Sequence, residues 1–276
     1  MKLKYYGTAA AEGWPGLFCR CQYCMEAKRR GGKNLRTRSQ ATIDDKLLMD
    51  FPPDTYLHML FYGLDLPSFK TCIITHAHED HLYERDIATR IHGYADDVLP
   101  DQFTLYGSDS VIAQLNALPD WAKDFERITW QEVYEYQPFE AEGYVITPLI
   151  AAHGQHGTHP KTNCFIYDIE KNGERLLYGN DTAFFPERTW EYIKGHYYNL
   201  VSLDCTMLNR SSRNHMGIED VLMVQNRLLE IKCADDHTLW VITHFSHHGG
   251  ILHEELVEKM APYHIQVAFD GLTIET

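Results

Sequence analysis

Thr75-His76-Ala77-His78-Glu79-Asp80-His81 places four side chains that bind metals, His76, His78, Asp80 and His81, within six residues. Three imidazoles and a carboxylate suit zinc, manganese or iron, whereas a calcium site is built from oxygens. On an extended backbone alternate side chains share a side, so His76 and His78 point together. A turn through Glu79 can then carry Asp80 and His81 around a second centre. That is more than one tetrahedral ion takes, and it predicts two ions sharing a water. With 16 histidines in the chain an isolated His-x-His carries little weight, but the four ligands together carry much more.

The remaining ligands must come from downstream. His153 opens a second cluster, His153-Gly154-Gln155-His156-Gly157-Thr158-His159, of which one or two histidines are needed. Asp181, Asp204 and His244 each follow a short apolar run, and His215 stands just before a helical pattern. Ligands gathered at strand ends are how α/β proteins build pockets. Counted out, His76, His78 and His153 can hold one metal and Asp80, His81 and His244 the other, with Asp181 and a hydroxide bridging. Two such ions, roughly 3.5–4 Å apart, acidify the shared water and orient a phosphoryl or carbonyl group. Asp50 and Asp204 suit an outer role, hydrogen-bonding to ligand histidines and fixing their tautomer.

Cys19-x-Cys21-x-x-Cys24 is a separate feature. Three thiolates this close can face one zinc, with a distant fourth ligand closing the tetrahedron and pinning the N-terminal loop; plain thiols are the alternative. A redox pair fits less well, since no βαβ pattern surrounds it. In the basic run 28–38, Arg36 and Arg38 are candidates to neutralise a substrate phosphate, with a solvated loop the expected place of at least one of them. The small-residue loop 7–16 lacks the lysine and spacing of a nucleotide phosphate loop.

These residues need a scaffold. Strands are expected at 2–6, at 41–43 and 46–50 as a hairpin, and at 69–75, 103–106, 128–133 and 144–149. Others follow at 164–168 with 175–178, then 200–203, 239–243, 264–269 and 272–274. Helices are expected after Asp54, over 108–118, 218–232 and 253–260, the third with Val221, Val224, Leu228 and Ile231 in one apolar stripe. Residues 82–101, of mixed charge, are a candidate lid. With no linker, repeat or low-complexity segment, 1–276 reads as one domain.

A formal charge of −14 repels phosphate backbones and anionic membranes. It still admits a small phosphate ester, because paired cations reverse the field locally. No stretch is apolar enough to span a bilayer, and residues 1–7 read as a strand, not an export signal. Seven cysteines, an odd set, fit reduced thiols and a cytoplasmic setting better than a disulfide framework.

The whole pattern resembles the metallo-β-lactamase superfamily, and within it the PhnP-type phosphodiesterases of the carbon–phosphorus lyase pathway. The likeness is carried by Gly7-Thr8 with Gly13 and Pro15, the three cysteines, Thr75 to His81, and Thr147-Pro148-Leu149 with His153. It continues through Asp181-Thr182, Asp204-Cys205, Asn214-His215, Thr243-His244-x-Ser246-His247 and Phe269-Asp270-Gly271. The resemblance implies an αββα sandwich, two β-sheets face to face with helices outside. It implies that His76, His78, Asp80, His81, His153, Asp181 and His244 ligate two divalent metals, manganese or zinc. It also implies that Cys19, Cys21, Cys24 and His247 hold one structural zinc, stapling a loop around 16–30. His215 matches the substrate-side acid or phosphate contact, and Asp80 joins it among the catalytic residues. Relatives of this kind tend to form homodimers.

The function so implied is hydrolysis of a small phosphodiester, a cyclic ribose phosphate among the candidates, by a hydroxide bridging the metals. Rival readings are a tRNA 3′-end-type ribonuclease, which the charge and the lack of a basic arm disfavour; a lactone, thioester or β-lactam hydrolase; and an inactive metal-binding scaffold. Glu79 between the ligands, the loop from His153 to Cys164 with His156 and His159, His248-Gly249-Gly250, and residues 82–100 depart from the family pattern, all beside the expected pocket.

Overall fold

Strands that are apolar without alternation are buried on both faces, and such strands pair in parallel. Leu200–Asp204, Leu239–Thr243 and Thr71–Ile73 are of this kind and are buried almost throughout. The computed structural model of the 276-residue chain describes residues 1–98, 102–154 and 163–276. In chain order, the first sheet takes β1 (Lys2–Gly7), β2 (Gln40–Ile43), β3 (Leu47–Met49), β4 (Thr71–Ile73), β5 (Phe103–Gly107) and β6 (Ile128–Glu132). The second takes β7 (Phe139–Ala141), β8 (Tyr144–Ile150), β9 (Phe165–Lys171), β10 (Glu174–Gly179), β11 (Leu200–Asp204), β12 (Leu239–Thr243) and β13 (Ile265–Val267). The chain then returns as β14 (Thr273–Glu275) to the edge of the first. The orders are β14-β1-β2-β3-β4-β5-β6 and β13-β12-β11-β10-β9-β8-β7.

Helices α1 (Gln22–Arg30), α2 (Thr55–Tyr62), α3 (Glu84–Ile87), α4 (Asp109–Asn116), α5 (Glu187–Ile193), α6 (Ile218–Glu230) and α7 (His253–Met260) complete the described elements of regular structure beside short 3₁₀ turns. One apolar layer lies between the sheets, with Leu3, Ile43 and Ile73 meeting Ile146, Tyr167 and Val241. Two more lie outside, one against each sheet: Ile74, Leu105, Val111 and Leu115 on the first, and Ile242 with Val221, Val224 and Leu228 of α6 on the second. This is the expected αββα sandwich. No described helix is long and apolar enough to cross a membrane.

Strand direction decides where the functional residues go. β3 to β6 run parallel, as do β10 to β13. β8 and β10 are each antiparallel to β9 and so run alike. The segments following β8, β10, β11 and β12 therefore leave from one edge of the second sheet. Thr75, just after β4, reaches that sheet through its carbonyl, which accepts from Phe165 N at 2.9 Å. Tyr167, fully buried, donates its hydroxyl to Ile74 O at 2.8 Å.

Three departures from the sequence reading have physical causes. β4 stops at Ile73, short of the expected Thr75, because the Thr75 N–H turns from the ladder to the Asp50 carboxylate at 2.7 Å. β7 was not anticipated, being three residues folded onto Tyr144 across the Glu142-Gly143 turn. Much of the candidate lid belongs to a core: Ile87, Ala88 and Ile91 are buried with Leu105 and Leu115 on the outer face of the first sheet. Residues 99–101 lie outside the described residues, as do His156 and His159.

Tyr167→Phe leaves the Ile74 carbonyl without that donor just ahead of the motif. It is expected to lower stability by about 1–3 kcal/mol, read as a lower denaturant midpoint with an unchanged slope.

Candidate metal centre

After β4 the chain turns tightly, His81 N donating to His78 O at 2.9 Å, and this wraps the motif around a point beside Asp181. His76 Nε2 lies 2.9 Å from His78 Nδ1, which is 3.2 Å from His153 Nε2. Asp181 Oδ2 completes this group at 3.2 Å from His76 Nε2. The same oxygen lies 3.2 Å from His81 Nε2 and 3.7 Å from His244 Nε2. His81 Nε2 is itself 3.2 Å from His244 Nε2 and 3.3 Å from Asp80. The structure thus brings together all seven predicted residues as two groups sharing Asp181. His78 is exposed, so the pair opens to solvent there.

The donor set fits divalent metal. Ligand atoms about 2.05 Å from one tetrahedral ion stand about 3.3 Å apart, close to most of these separations. The outer nitrogens are engaged by protein: His81 Nδ1 by Asp50 at 2.7 Å, His153 Nδ1 by the Asn214 carbonyl at 3.1 Å. His76 Nδ1 meets Thr75 Oγ1 at 3.0 Å, and His244 Nδ1 meets Thr206 Oγ1 at 2.8 Å. Where the outer nitrogen donates, the inner one presents a lone pair, and this outer contact is how ligand imidazoles are oriented. Asp181 Oδ1 is buried and accepts no well-directed hydrogen bond. Asp50, Asp181 and His244 all have left-handed backbone, with φ of 64°, 56° and 62°. Such non-glycine geometry is uncommon and gathers at functional sites.

Without cations the charges conflict. Burial, with the neighbouring His81, holds His76 well below the usual histidine range. At His81 burial opposes the charge, but Asp80, Asp50 and Asp181 outweigh it and hold the ring well above that range. His215 joins the cluster with Nδ1 2.9 Å from Asp181 and 3.1 Å from Asp204. Burial opposes its charge too, yet the two carboxylates raise it to about 11.

The cysteines form a second centre. Cys19, Cys21 and Cys24 gather with His247, whose Nδ1 lies 3.8 Å from Cys19 Sγ and 3.5 Å from Cys21 Sγ. Zinc bonds of about 2.3 Å to sulfur and 2.0 Å to nitrogen put such atoms about 3.5–3.8 Å apart. Gly16 makes room: a Cβ there would stand 3.2 Å from both Cys19 Cβ and His247 Nε2. Cys21 Sγ also caps α1, accepting from Cys24 N.

Two expectations are corrected. Arg36 is buried, its guanidinium given to Thr8 Oγ1 and the Ala268 carbonyl, and Arg38 pairs with Asp54; neither is free for phosphate. Asp204 hydrogen-bonds to His215 and not to a ligand histidine, since its nearest approach to His244 Nδ1 is 3.9 Å. That place is taken by Thr206, which sequence reasoning missed although it stands two residues beyond Asp204. Asn214 escaped notice because it acts through its backbone carbonyl, which side-chain type cannot reveal.

The sequence matches the model of the beta-lactamase superfamily domain over residues 52–245. The chain belongs to that superfamily. The matched span takes in both His/Asp groups but neither the cysteines nor His247. Comparison with curated proteins finds no match. Among solved structures, a diphosphatase from the PhnP family superposes with a TM-score of 0.73 at 22% identity, covering 100% of this chain and 97% of that one. Zn²⁺-bound PqqB from Methylobacterium extorquens gives 0.72 at 18%, with 100% of each chain covered. Human tRNase Z, short form, gives 0.66 at 14%, covering 100% and 99%. At these identities the likeness is one of fold.

Two outcomes follow from the geometry. Cys21→Ser should carry about one zinc fewer per chain by elemental analysis and unfold at a lower denaturant concentration; unchanged zinc content would show that the thiols form no site. Against the cost of burial, Asp80, Asp50 and Asp181 hold His81 above the usual histidine range in the metal-free protein, so ligation there works against a bound proton. Mn²⁺, which thiolates bind poorly, should therefore release about one proton per chain on binding, with affinity rising as pH rises. Calorimetry in buffers of different ionisation enthalpy measures the release, and none at pH 7 contradicts the assignment.

Proposed function

We propose that the chain is a phosphodiesterase for small substrates, working with two divalent cations. His76, His78 and His153 would hold one, Asp80, His81 and His244 the other, and Asp181 both. Cations bound there would supply Lewis acidity and a water acidified towards neutrality. The observation that carries the reading is Asp181, a buried carboxylate common to two ligand groups at the mouth of the sandwich.

The protein's own groups then divide the work. Asp80, kept ionised by His81 despite its burial, accepts a hydrogen bond that aligns the attacking water. His215 has Nδ1 fixed between Asp181 and Asp204, while its Nε2 takes no hydrogen bond among the described residues. That nitrogen gives its proton to the leaving oxygen as water adds to phosphorus and the phosphorus–oxygen bond breaks, a role worth roughly 10²–10⁴-fold. The products are a phosphomonoester and an alcohol, or one ring-opened monoester from a cyclic substrate.

Charge supports a small substrate over RNA. At −14 the surface repels a polyanion, and Arg36 and Arg38 are spent inside the fold. A single phosphodiester charge would be met within the pocket by His215 and by cations held there.

His215→Ala should slow a diester with an alkyl leaving group by about 10²-fold or more. The loss should be far smaller for a nitrophenyl diester, whose leaving group departs unprotonated. Initial rates with Mn²⁺ and Zn²⁺, on cyclic and linear diesters, measure both. Equal losses would remove His215 from the acid role, and a metal-loaded wild type inert to every diester would overturn the reading.

A further inference from the structure

Asp204, fully buried like Asp50, sits beside the pocket and ligates nothing in the scheme above. It ends β11. Oδ1 accepts from Thr206 N at 2.8 Å and Met216 N at 3.2 Å. Oδ2 accepts from Thr182 N at 3.1 Å and meets His215 Nδ1 at 3.1 Å.

Each donor adjoins a functional side chain. Thr182 follows Asp181, Met216 follows His215, and the Thr206 hydroxyl meets His244 Nδ1 at 2.8 Å. Three separate segments are thereby tied to one carboxylate. Asp204 also lies within a group of four, with Asp181, His215 and His244, whose spacing could suit a third cation. A carboxylate offers about four lone-pair sites, and four donors already fill them. The arrangement orients a ring; it does not leave room for an ion.

We infer that Asp204 is the positioning residue for His215: by accepting a hydrogen bond from Nδ1–H it fixes the ring's plane and tautomer so that Nε2 faces the leaving oxygen. The same carboxylate, through Thr182 and Thr206, holds that ring in register with Asp181 and His244. Asp50 plays the corresponding part for His81, so the chain uses two buried aspartates for two tasks, one orienting a ligand and one orienting the proton donor. This assignment rests on the reading of His215 as the acid.

Asp204→Asn keeps the shape and an acceptor for Thr206 and Met216, but sets an amide N–H₂ against Thr182 N–H and His215 Nδ1. Metal content by elemental analysis should stay at the wild-type level. The rate on an alkyl diester should fall by about 10²-fold, with the loss on a nitrophenyl diester at least tenfold smaller. The double variant with His215→Ala should be no slower than His215→Ala alone, as for residues acting as a unit. In ¹⁵N–¹H spectra of the side chain, the Nδ1 proton signal of His215 should shift, since only the Asp181 carboxylate is left beside it. Equal losses on both diesters, additive losses in the double variant, or an unchanged Nδ1 signal would each overturn the positioning role while leaving the diesterase reading standing. A wild type inert to all diesters would remove that reading and this one with it. Should Asp204→Asn fail to fold, Asp204→Glu, which keeps the charge and displaces it by one methylene, is read by the same split between leaving groups and the same Nδ1 signal.

Discussion

Asp181 bears the central constraint: one buried carboxylate stands within hydrogen-bonding range of four rings from three separate segments. Oδ2 is 3.2 Å from both His76 and His81, and Oδ1 is 3.1 Å from His153 and 2.9 Å from His215. Hydrogen bonds alone cannot satisfy the set, because His81 and His76 already spend Nδ1 on Asp50 and Thr75, and the one Nδ1 of His153 lies between Asp181 and the Asn214 carbonyl. Burying lone pairs against one another and an anion beside them costs several kcal/mol unless charge compensates. Cations bound among them would turn that opposition into coordination. The left-handed backbone at Asp181 and His244 is a second cost borne in the same place.

The sandwich meets this constraint through direction before side-chain detail. Four strands of the second sheet leave from one edge, and a turn held by Asp50 aims the motif at it. Asp50 is decisive because it acts twice: it draws the Thr75 N–H out of the ladder, ending β4, and it orients His81. One carboxylate thus sets where the strand stops and where the ligand points. The apolar residues on both sides, Ile73 between the sheets and Ile74 outside, keep that turn from drifting.

Much of this was legible in the sequence, for identifiable reasons. Continuous apolar runs marked β11 and β12, and the 3.6-residue stripe of Val221, Val224 and Leu228 marked α6. Dense ligand spacing marked the motif, and three cysteines in six residues marked the second centre. What escaped was whatever depends on backbone groups or on a partner distant in sequence. The Asn214 carbonyl on His153 has no side-chain signature. Arg36 looked available to phosphate because nothing local shows that Thr8, Ala268 and the face of Phe245 enclose it. Asp204 was expected to hydrogen-bond to a ligand histidine and meets His215 instead, since the strand end alone does not say which ring turns towards it.

The two centres are not independent, because both hang from the turn that follows β12. His244 faces inward with φ of 62°, and His247, three residues on, faces the thiols. Between them Phe245 is clamped from the N-terminal side, its N–H donating to Thr8 O at 2.8 Å and its carbonyl accepting from Ala10 N at 3.0 Å. Ser246 binds Glu12 in the same loop. That loop is anchored at its far end by Cys19, Cys21 and Cys24. An unusual backbone angle persists only where its surroundings over-determine it, and here the surroundings are a segment more than 200 residues earlier in the chain, 8–24 against 244–247. A metal held by the cysteines and His247 would therefore act on the active pair without touching it, by denying the His244 turn the freedom to relax.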